Sequence, residues 1–374
     1  MAQASLRDFH DNAGSRTPIS RTPDPRVRRF HRSMPGYEPT RVAQAPRVTA
    51  RLGLAGLVVK LETERFGLPA FKVLGASWAV CRALSRQAGH EEPVATFAEL
   101  REVAASLDEL TLVAATDGNH GRAVARMARL LGLGARILVP AHTAAARIEA
   151  IAGEGAAVDV VDGSYDDAVA ASAALADDRR LVISDTSWAG YEDVPGWVAD
   201  GYATIFAELA EQVDDIPPLV AVQIGVGALA SAAVRALAGP GRVIVGVEPA
   251  AAACTLAAVR AGVPVLVPGP HDSIMAGLNC GTASRIAMPE LIAGIDAFCA
   301  IDDRAAEAAV RMLLDDGLAC GETGAAGVAG LLALRERWPE DSWERLGAGA
   351  APAALALCTE APTDPASFAR ITAA

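Results

Sequence analysis

The chain has 374 residues, which is long enough for two domains with a sizeable core. Hydrophobic residues make up 52% and charged residues 21%, as is usual in globular proteins, and the net charge of −12 argues against a nucleic-acid partner, because phosphate binding needs a basic surface. The first residues contain no apolar segment of the secretory type, and no uncharged apolar run reaches about 18 residues, so we expect a cytoplasmic protein that makes no membrane contact.

Short apolar segments alternate with amphipathic ones along most of the chain. Residues 1–36 are polar and rich in Arg and Pro, which predicts an irregular amino-terminal arm. We predict strands at 57–62, 110–116, 135–140, 157–162, 180–186, 219–227 and 242–249, and helices at 76–87, 121–132, 144–155, 165–177, 197–212 and 228–239. Repeated βα units with nearly continuous apolar strands predict an α/β protein with parallel sheets that helices cover on both faces.

The segment YEDVPG at 191–196 reads as a crossover between two domains. We therefore predict a smaller domain at 67–187 and a larger domain that combines 37–66 with 188–374.

Six cysteines are spread along the chain without the spacing of a zinc site. We expect buried thiols and no metal centre, and the sequence leaves open whether Cys254 and Cys280 pair.

The segment VQIGVGALA, at 222–230, joins an apolar strand to a helix through two glycines. Such a turn exposes backbone N–H groups beside the positive end of a helix and so favours a phosphate. The G-K-[ST] ending of a P-loop is missing, and Ala230 replaces the third glycine of a dinucleotide fingerprint. The alternative is an ordinary strand–helix turn.

The segment ATDGNHGRA, at 115–123, places polar side chains at a strand–helix junction, where α/β proteins carry their sites. Asp117, Asn119 and His120 lie within one turn that also contains Gly118 and Gly121. A capping turn accounts for one Asp or Asn but not for all three polar residues, so we predict a functional site here.

The chain contains 33 Lys plus Arg residues, but only Lys60 and Lys72 are lysines. An arginine cannot form a Schiff base, whereas a lysine can, so a lysine kept after the apolar segment GLPAF suggests covalent chemistry at Lys72. A phosphate-binding turn elsewhere makes pyridoxal phosphate the aldehyde that fits. The alternative is that either lysine persists by chance.

These three segments, in this order, resemble the fold type II family of pyridoxal-phosphate enzymes, which includes threonine dehydratase, cysteine synthase and the tryptophan synthase β chain. The resemblance implies two parallel-sheet α/β domains with the cofactor in the cleft between them. A finer resemblance is to the diaminopropionate ammonia-lyase family, and it extends from residue 30 to about residue 365. The segments that carry it are FHRSMPGYEPT (30–40), AFKVLGAS (70–77), ATDGNHGR (115–122), SDTSWAGYEDVPGW (184–197), IMAGLNCGT (274–282), GETGAAG (321–327) and TEAPTDP (359–365). The chain departs from the family at Arg41, where proline is usual, and in TEAPTD, where T-E-G-D-T-D is usual.

The resemblance assigns roles to individual residues. It implies that Lys72 holds the cofactor covalently and that Asn119 hydrogen-bonds the ring hydroxyl. Thr359 is the residue that we expect at the ring nitrogen, with Cys358 and Thr323 as alternatives. It implies that the substrate is bound by Thr116, Asp117 and His120. The cofactor phosphate would be bound by Gly225, Val226, Gly227, Ala228 and Leu229.

A carboxylate at Asp117 suits a substrate that carries a second ammonium, as 2,3-diaminopropionate does. The resemblance implies an α,β-elimination that yields pyruvate and two ammonia, and it implies a homodimer. With Asp185 as a second carboxylate, one enzyme could take both the D and the L isomer, Asp117 and Asp185 being the respective bases. The alternative for Asp185 is a helix cap or turn residue.

Three other functions remain open at this point. A serine or threonine dehydratase is disfavoured by Asp117 and would be recognised by turnover of serine. A β-replacement enzyme related to cysteine synthase would need a second substrate and would release little pyruvate. A non-catalytic homologue that only binds the cofactor is disfavoured by the presence of Lys72, Asp117 and Asp185.

Overall fold

A computed structural model describes residues 6–12, 23–107, 109–116 and 118–373. The strands are β1 (Leu6–Asp11), β2 (Val42–Gln44), β3 (Gly56–Leu61), β4 (Thr111–Ala115), β5 (Gly134–Pro140), β6 (Ala157–Val161), β7 (Arg180–Val182), β8 (Leu219–Gln223), β9 (Val243–Pro249), β10 (Ala297–Ile301) and β11 (Ala353–Cys358).

The helices alternate with these strands through most of the chain. They are α1 (Pro25–Ser33), α2 (Pro46–Leu52), α3 (Lys72–Gln87), α4 (Phe97–Ser106), α5 (Asn119–Leu131), α6 (Ala145–Ala152), α7 (Tyr165–Ala173), α8 (Asp193–Gly201), α9 (Ala203–Gln212), α10 (Ala228–Leu237), α11 (Cys254–Ala261), α12 (Met288–Gly294), α13 (Asp303–Asp315), α14 (Glu322–Arg337), α15 (Ser342–Arg345) and α16 (Pro365–Thr372). In the part of the chain that the structure describes, every helix is too short or too polar to span a bilayer.

The chain divides into two compact units. The first comprises the described residues of Met1–Thr22 together with Pro39–Glu64 and Ile205–Ala374. The second comprises Pro23–Glu38 and Arg65–Thr204.

The first unit contains a seven-stranded sheet among the described residues, in the order β1-β10-β9-β8-β11-β3-β2. The five inner strands are parallel, and β1 and β2 pair with them in antiparallel fashion at the two edges. Strands β8, β9 and β10 are buried at every residue, as expected for parallel strands covered on both faces. Helix α14 contacts several of these strands and is buried from Glu322 through Leu334.

The second unit contains a four-stranded parallel sheet in the order β6-β5-β4-β7. Helices α5 and α7 pack on its central strands β4 and β5. The α/β class with parallel sheets is therefore confirmed in both units.

Glycines bring helices α3 and α8 of the second unit into close contact. A Cβ on Gly75 would lie 2.6 Å from the ring of Tyr202, and a Cβ on Gly201 would overlap the carbonyl oxygen of Leu74. Residues 188–204 therefore belong to the same compact unit as 67–187, whereas the sequence placed them in the larger domain.

The prediction of an irregular arm over 1–36 is wrong for two segments. Strand β1 pairs with β10, and helix α1 begins after Asp24, whose side chain accepts a hydrogen bond from the Arg26 N–H. Helix α1 is held against α3 by His31, whose ring nitrogens lie 2.7 Å from Thr204 Oγ1 and 3.0 Å from the Leu74 carbonyl. Residues 13–22 lie outside the described part of the chain.

Lys60, on β3, has a structural role. Its side chain is fully buried, and Nζ donates to Glu208 Oε2 at 2.9 Å, to the Thr40 carbonyl at 2.7 Å and to Gln212 Oε1 at 2.8 Å. Three acceptors match the three N–H bonds of an ammonium, which explains why a lysine rather than an arginine stands here.

Cysteines 320 and 358 form a disulfide, contrary to the expectation of thiols throughout. Their Cα atoms are 5.9 Å apart, because the loop before α14 lies beside the end of β11. Cys254 and Cys280 are buried thiols.

Candidate active site

Lys72 is the first residue of α3 and contacts a carboxylate of the same unit. Its Nζ donates to Asp185 Oδ2 at 2.7 Å, and the side chain of Lys72 retains 20% of its exposure, compared with 6% for Asp185. The other carboxylate oxygen, Oδ1, accepts a hydrogen bond from the Tyr165 hydroxyl at 3.0 Å. Asp185 therefore bonds side chains at both of its oxygens and is more than a turn residue.

Burial and charge act on Asp185 in opposite directions. Burial alone would raise the pKa of its carboxyl group, but the Lys72 ammonium and the hydrogen bonds from Lys72 and Tyr165 together hold that pKa well below its usual range. The carboxylate is consequently ionised at neutral pH and can act as a base when its partners move.

His120 lies in the first turn of α5 and is neutral. Its Nε2–H donates to the Ile183 carbonyl at 2.7 Å, and its Nδ1 is buried without a hydrogen-bond partner among the described residues. Burial lowers the pKa of the imidazole, and Lys72 lowers it further, whereas Asp185 raises it. A buried imidazole nitrogen with a free lone pair can accept a hydrogen bond from a bound molecule.

Tyr202, like Tyr165, is a tyrosine near the Lys72–Asp185 pair, and the charge of Lys72 affects its pKa. Burial raises the pKa of Tyr202 above its usual range, and the nearby Lys72 ammonium opposes that shift. The ring of Tyr202 also packs against Phe71, with ring centroids 4.7 Å apart.

The turn before α5 is closed by Thr116, whose Oγ1 accepts the Gly118 N–H at 2.9 Å. Asn119 begins α5 directly after this turn, two residues before the helix start that the sequence predicted. Gly121 is required there, because a Cβ would lie 2.5 Å from Ile137 Cγ2 and would overlap the methyl group of Thr116. Asp117 lies outside the described residues.

The glycine turn of the first unit has the geometry of an anion cradle. Strand β8 ends at Gln223 and α10 begins at Ala228, so the N–H groups of the first helical turn have no intrahelical acceptor. The carbonyl of Val226 accepts the Ser284 N–H at 2.9 Å, and the carbonyl of Gly225 accepts Cys254 Sγ–H at 3.8 Å. The carbonyls are thus bonded by protein, and the N–H groups of the first helical turn are the groups that a ligand can bind here.

A Cβ would meet neighbouring atoms at both glycines of this turn, most closely at Gly227. Gly227 has φ +107°, and a Cβ there would lie 2.9 Å from both Ala287 Cβ and Leu291 Cδ1. A Cβ on Gly225 would lie 3.1 Å from the Gly277 carbonyl oxygen.

Thr359 directly follows β11, and Gln223 ties it to the glycine turn. Its Oγ1 accepts Gln223 Nε2–H at 2.9 Å, which leaves its own O–H to donate. Thr323 Oγ1 accepts the Gly277 N–H at 3.1 Å. Cys358 is in the disulfide and has no S–H, so its sulfur cannot donate to a ring nitrogen.

The described residues contain no group of three His, Cys, Asp or Glu side chains that could hold a metal ion. In the second unit, the lysine amine suits an aldehyde. In the first unit, the row of amides suits a phosphate.

Comparison with known proteins agrees with this donor set. Residues 34–344 match the family model described as pyridoxal-phosphate dependent enzyme. Diaminopropionate ammonia-lyase of Salmonella typhimurium is 35% identical over 356 residues, covering 90% of this chain and 88% of that protein. The chain belongs to the diaminopropionate ammonia-lyase family of pyridoxal-phosphate dependent enzymes. The Escherichia coli K12 ammonia-lyase is 33% identical and covers 97% of this chain and 96% of its own length.

A solved structure of this ammonia-lyase family has the same fold. The Escherichia coli enzyme in complex with an aminoacrylate–PLP reaction intermediate superposes with a TM-score of 0.89 at 30% identity, covering 99% of this chain and 98% of that one. The fold is thus fold type II, and the cofactor of the chain is pyridoxal phosphate.

Sequence reasoning missed several residues that these contacts involve. Tyr165 and Tyr202 act on the Lys72–Asp185 pair, and Gln223 holds Thr359. The sequence predicted a helix that begins at Tyr165, but that prediction carried no information on the direction of the tyrosine hydroxyl.

Proposed function

We propose that the chain catalyses the α,β-elimination of 2,3-diaminopropionate to pyruvate and two ammonia. The observation that carries the proposal is the Lys72–Asp185 pair, an amine 2.7 Å from a buried carboxylate, in a chain of the diaminopropionate ammonia-lyase family. An amine binds the aldehyde, and a carboxylate beside it serves as a base at the substrate carbon.

The residues that would hold the cofactor follow from their donors. Lys72 attaches to its aldehyde carbon, and the amides of Gly225 through Leu229 bind its phosphate. Thr359 donates its hydroxyl to the ring nitrogen, and Asn119 hydrogen-bonds the ring hydroxyl. When bound, the cofactor supplies an electron sink for the pair of electrons left at Cα.

The chain's own groups then handle the protons. Asp117 or Asp185 removes the Cα proton, according to the isomer, and the other carboxylate pairs with the β-ammonium so that it leaves as ammonia rather than as amide ion. His120 Nδ1 accepts a hydrogen bond from the substrate, and Thr116 holds the loop at its side. Released aminoacrylate takes up water outside the enzyme and yields pyruvate and the second ammonia.

The first experiment follows pyruvate from DL-2,3-diaminopropionate together with the visible absorption of the bound cofactor. Wild-type protein is expected to show the band and to release pyruvate, and Lys72→Ala is expected to lose both. L-serine and L-threonine serve as comparison substrates. A visible band together with turnover of serine but not of diaminopropionate would reject the proposed substrate and support the cofactor assignment.

The assignment of the two bases has its own test. With the separate isomers, Asp117→Asn is expected to lower kcat mainly for the D isomer and Asp185→Asn mainly for the L isomer, each by about 10²- to 10⁴-fold, the range of general-base catalysis. Equal losses for both isomers in both variants would contradict the division of roles.

A homodimer and a cytoplasmic location stay predictions. Light scattering after size exclusion is expected to give twice the mass of one chain.

A further inference from the structure

The carboxylate of Asp185 is held from two sides within the second unit. Lys72 Nζ lies 2.7 Å from Oδ2, and the Tyr165 hydroxyl lies 3.0 Å from Oδ1. Asp185 and Tyr165 are both buried, with 4% and 6% exposure. Breaking either hydrogen bond would therefore leave a buried polar group without water to replace its partner, which costs free energy.

The fold fixes Tyr165 independently of Asp185. Tyr165 is the first residue of α7, directly after the N-cap Ser164, and Ser164 forms a capping box with Asp167. Ser164 Oγ accepts the Asp167 N–H, and Asp167 Oδ2 accepts the Ser164 N–H at 2.7 Å. Because the helix start is pinned by its own cap, a phenylalanine at 165 keeps the ring in place and removes only the hydroxyl.

The two donors to Asp185 differ in what the reaction does to them. In the loaded enzyme before substrate binds, the amine of Lys72 would be attached to the cofactor, so it would no longer face the carboxylate as an ammonium. The hydroxyl of Tyr165 would form no bond to the cofactor's aldehyde. Among the described contacts, it is therefore the hydrogen bond to Asp185 that persists when the enzyme is loaded.

We propose that Tyr165 is a positioning residue that aims Asp185 Oδ2 at the substrate and keeps the carboxylate ionised in the loaded enzyme. This inference rests on the proposed function, because it assumes that Asp185 acts as a base. Burial works against an ionised carboxylate, and a donor at Oδ1 offsets part of that effect.

The kinetic test uses the loaded enzyme with the Tyr165→Phe substitution. Loss of a hydrogen bond to a charged group is expected to move the acid limb of the kcat/KM profile upward by about one pH unit or more for the isomer that uses Asp185. At a pH below that limb, the ratio of kcat/KM for the two isomers is expected to change about 10- to 100-fold. Equal losses for both isomers with no movement of the limb would overturn the proposal.

A second readout needs neither cofactor nor substrate. In the apoprotein, an ionised Asp185 adds stability above the pKa of the unfolded chain, and that stability is lost as the pH falls through the folded pKa. The stability difference between wild type and Tyr165→Phe is therefore expected to stay constant from pH 7 down to the folded pKa of Asp185 and to shrink only as the pH falls through it. The deciding readout is the pH at which the Asp185 carboxyl titrates in the apoprotein, followed by NMR. That pH is expected to rise in Tyr165→Phe, and an unchanged titration would mean that the hydroxyl acts only structurally, and the proposal would fail.

Tyr191→Phe is the matched control. The Tyr191 hydroxyl also lies in the second unit and is part-buried, but it bonds backbone groups, the Val182 carbonyl and the Ser184 N–H. Its loss is expected to lower stability without moving the titration of Asp185 in the apoprotein and to leave the acid limb in place. A Tyr191→Phe limb shift equal to that of Tyr165→Phe would overturn the assignment.

The experiments distinguish a failure of the proposed function from a failure of the Tyr165 proposal. Wild-type protein that releases no pyruvate would reject the substrate, whereas the apoprotein measurement would still decide whether Tyr165 keeps Asp185 ionised.

Discussion

Lys60 and Lys72 each place an ammonium against a carboxylate, but their surroundings differ. Lys60 satisfies all three of its N–H bonds inside the first unit and is fully buried, so it has no capacity for chemistry. The side chain of Lys72 is partly exposed and faces a base. Two residues of one type therefore serve stability in one case and reactivity in the other.

Removing Lys60 is expected to leave Glu208 as an uncompensated buried charge. Lys60→Met should lower the free energy of unfolding by about 3–5 kcal/mol, measured by urea denaturation. The double variant Lys60→Met/Glu208→Leu should recover much of the loss, because it removes both charges. A single variant within about 0.5 kcal/mol of wild type, the usual spread of surface substitutions, would show that the pair is not needed.

At the scale of elements, Glu248 on β9 joins a sheet to a helix. Its carboxyl oxygens accept the N–H groups of Thr255 and Leu256, at 2.7 and 2.8 Å, in the first turn of α11. Burial raises the pKa of Glu248 to about 8, although the two N–H bonds lower it.

This raised pKa sets a direction for stability. Between the unfolded pKa of a glutamate and pH 8, the native state binds more protons than the unfolded state, so stability falls as the pH rises. The Glu248 contribution to that slope is at most about 1.4 kcal/mol per pH unit. Urea denaturation of wild type and Glu248→Gln from pH 5 to pH 8 is expected to show a shallower decline in the variant, and identical slopes would contradict the assignment.

Gly121 sets the distance between α5 and the sheet of the second unit. A Cβ there would meet Ile137 and Thr116, so Gly121→Ala is expected to lower the free energy of unfolding by about 1–3 kcal/mol through overpacking. The turn before Asn119 should move with the helix, so cofactor affinity should fall as well. Gly239→Ala is the control, because a Cβ at Gly239 has no heavy atom within 4 Å. Equal thermal stability of the two variants would argue against close packing at Gly121.

At the scale of the whole molecule, the disulfide ties β11 to the loop before α14 across 38 residues. In the chain-entropy view, such a crosslink stabilises by about 3–4 kcal/mol. Thiol titration of the denatured, unreduced protein is expected to find four of the six cysteines, and Cys320→Ser is expected to give five thiols and a lower melting temperature. Six thiols in the wild type would show that the crosslink does not form in solution.

The sequence predicted the alternation of strands and helices because the apolar periodicity is local. It extended one strand to Thr186, whereas β7 ends at Val182, although the Ile183 N–H still donates to the Val113 carbonyl of β4 at 2.7 Å. It also merged α8 and α9, which break at Tyr202, and it started α3 at 76 instead of at Lys72. Boundaries of this kind depend on backbone hydrogen bonds that composition does not encode.

The candidate site was predictable where its residues are neighbours in the chain. The glycine turn, Asn119 and Lys72 each lie in a short segment with its own chemistry. The bond from Tyr165 to Asp185 spans 20 residues, and the pairing of β1 with β10 spans nearly the whole chain. Such contacts follow from the topology of the fold, and no local sequence pattern predicts them.

The scarcity of lysine has a practical consequence for handling the protein. Coupling reagents that acylate ε-amines find two candidates in the sequence, and one of them, Lys60, is sealed in the interior. Bead immobilisation or dye labelling through lysine side chains would therefore modify Lys72, and the modification would remove its reactive amine. Attachment through carboxylates or an added tag leaves that amine intact, and trapping with a reductant marks a single position in the chain.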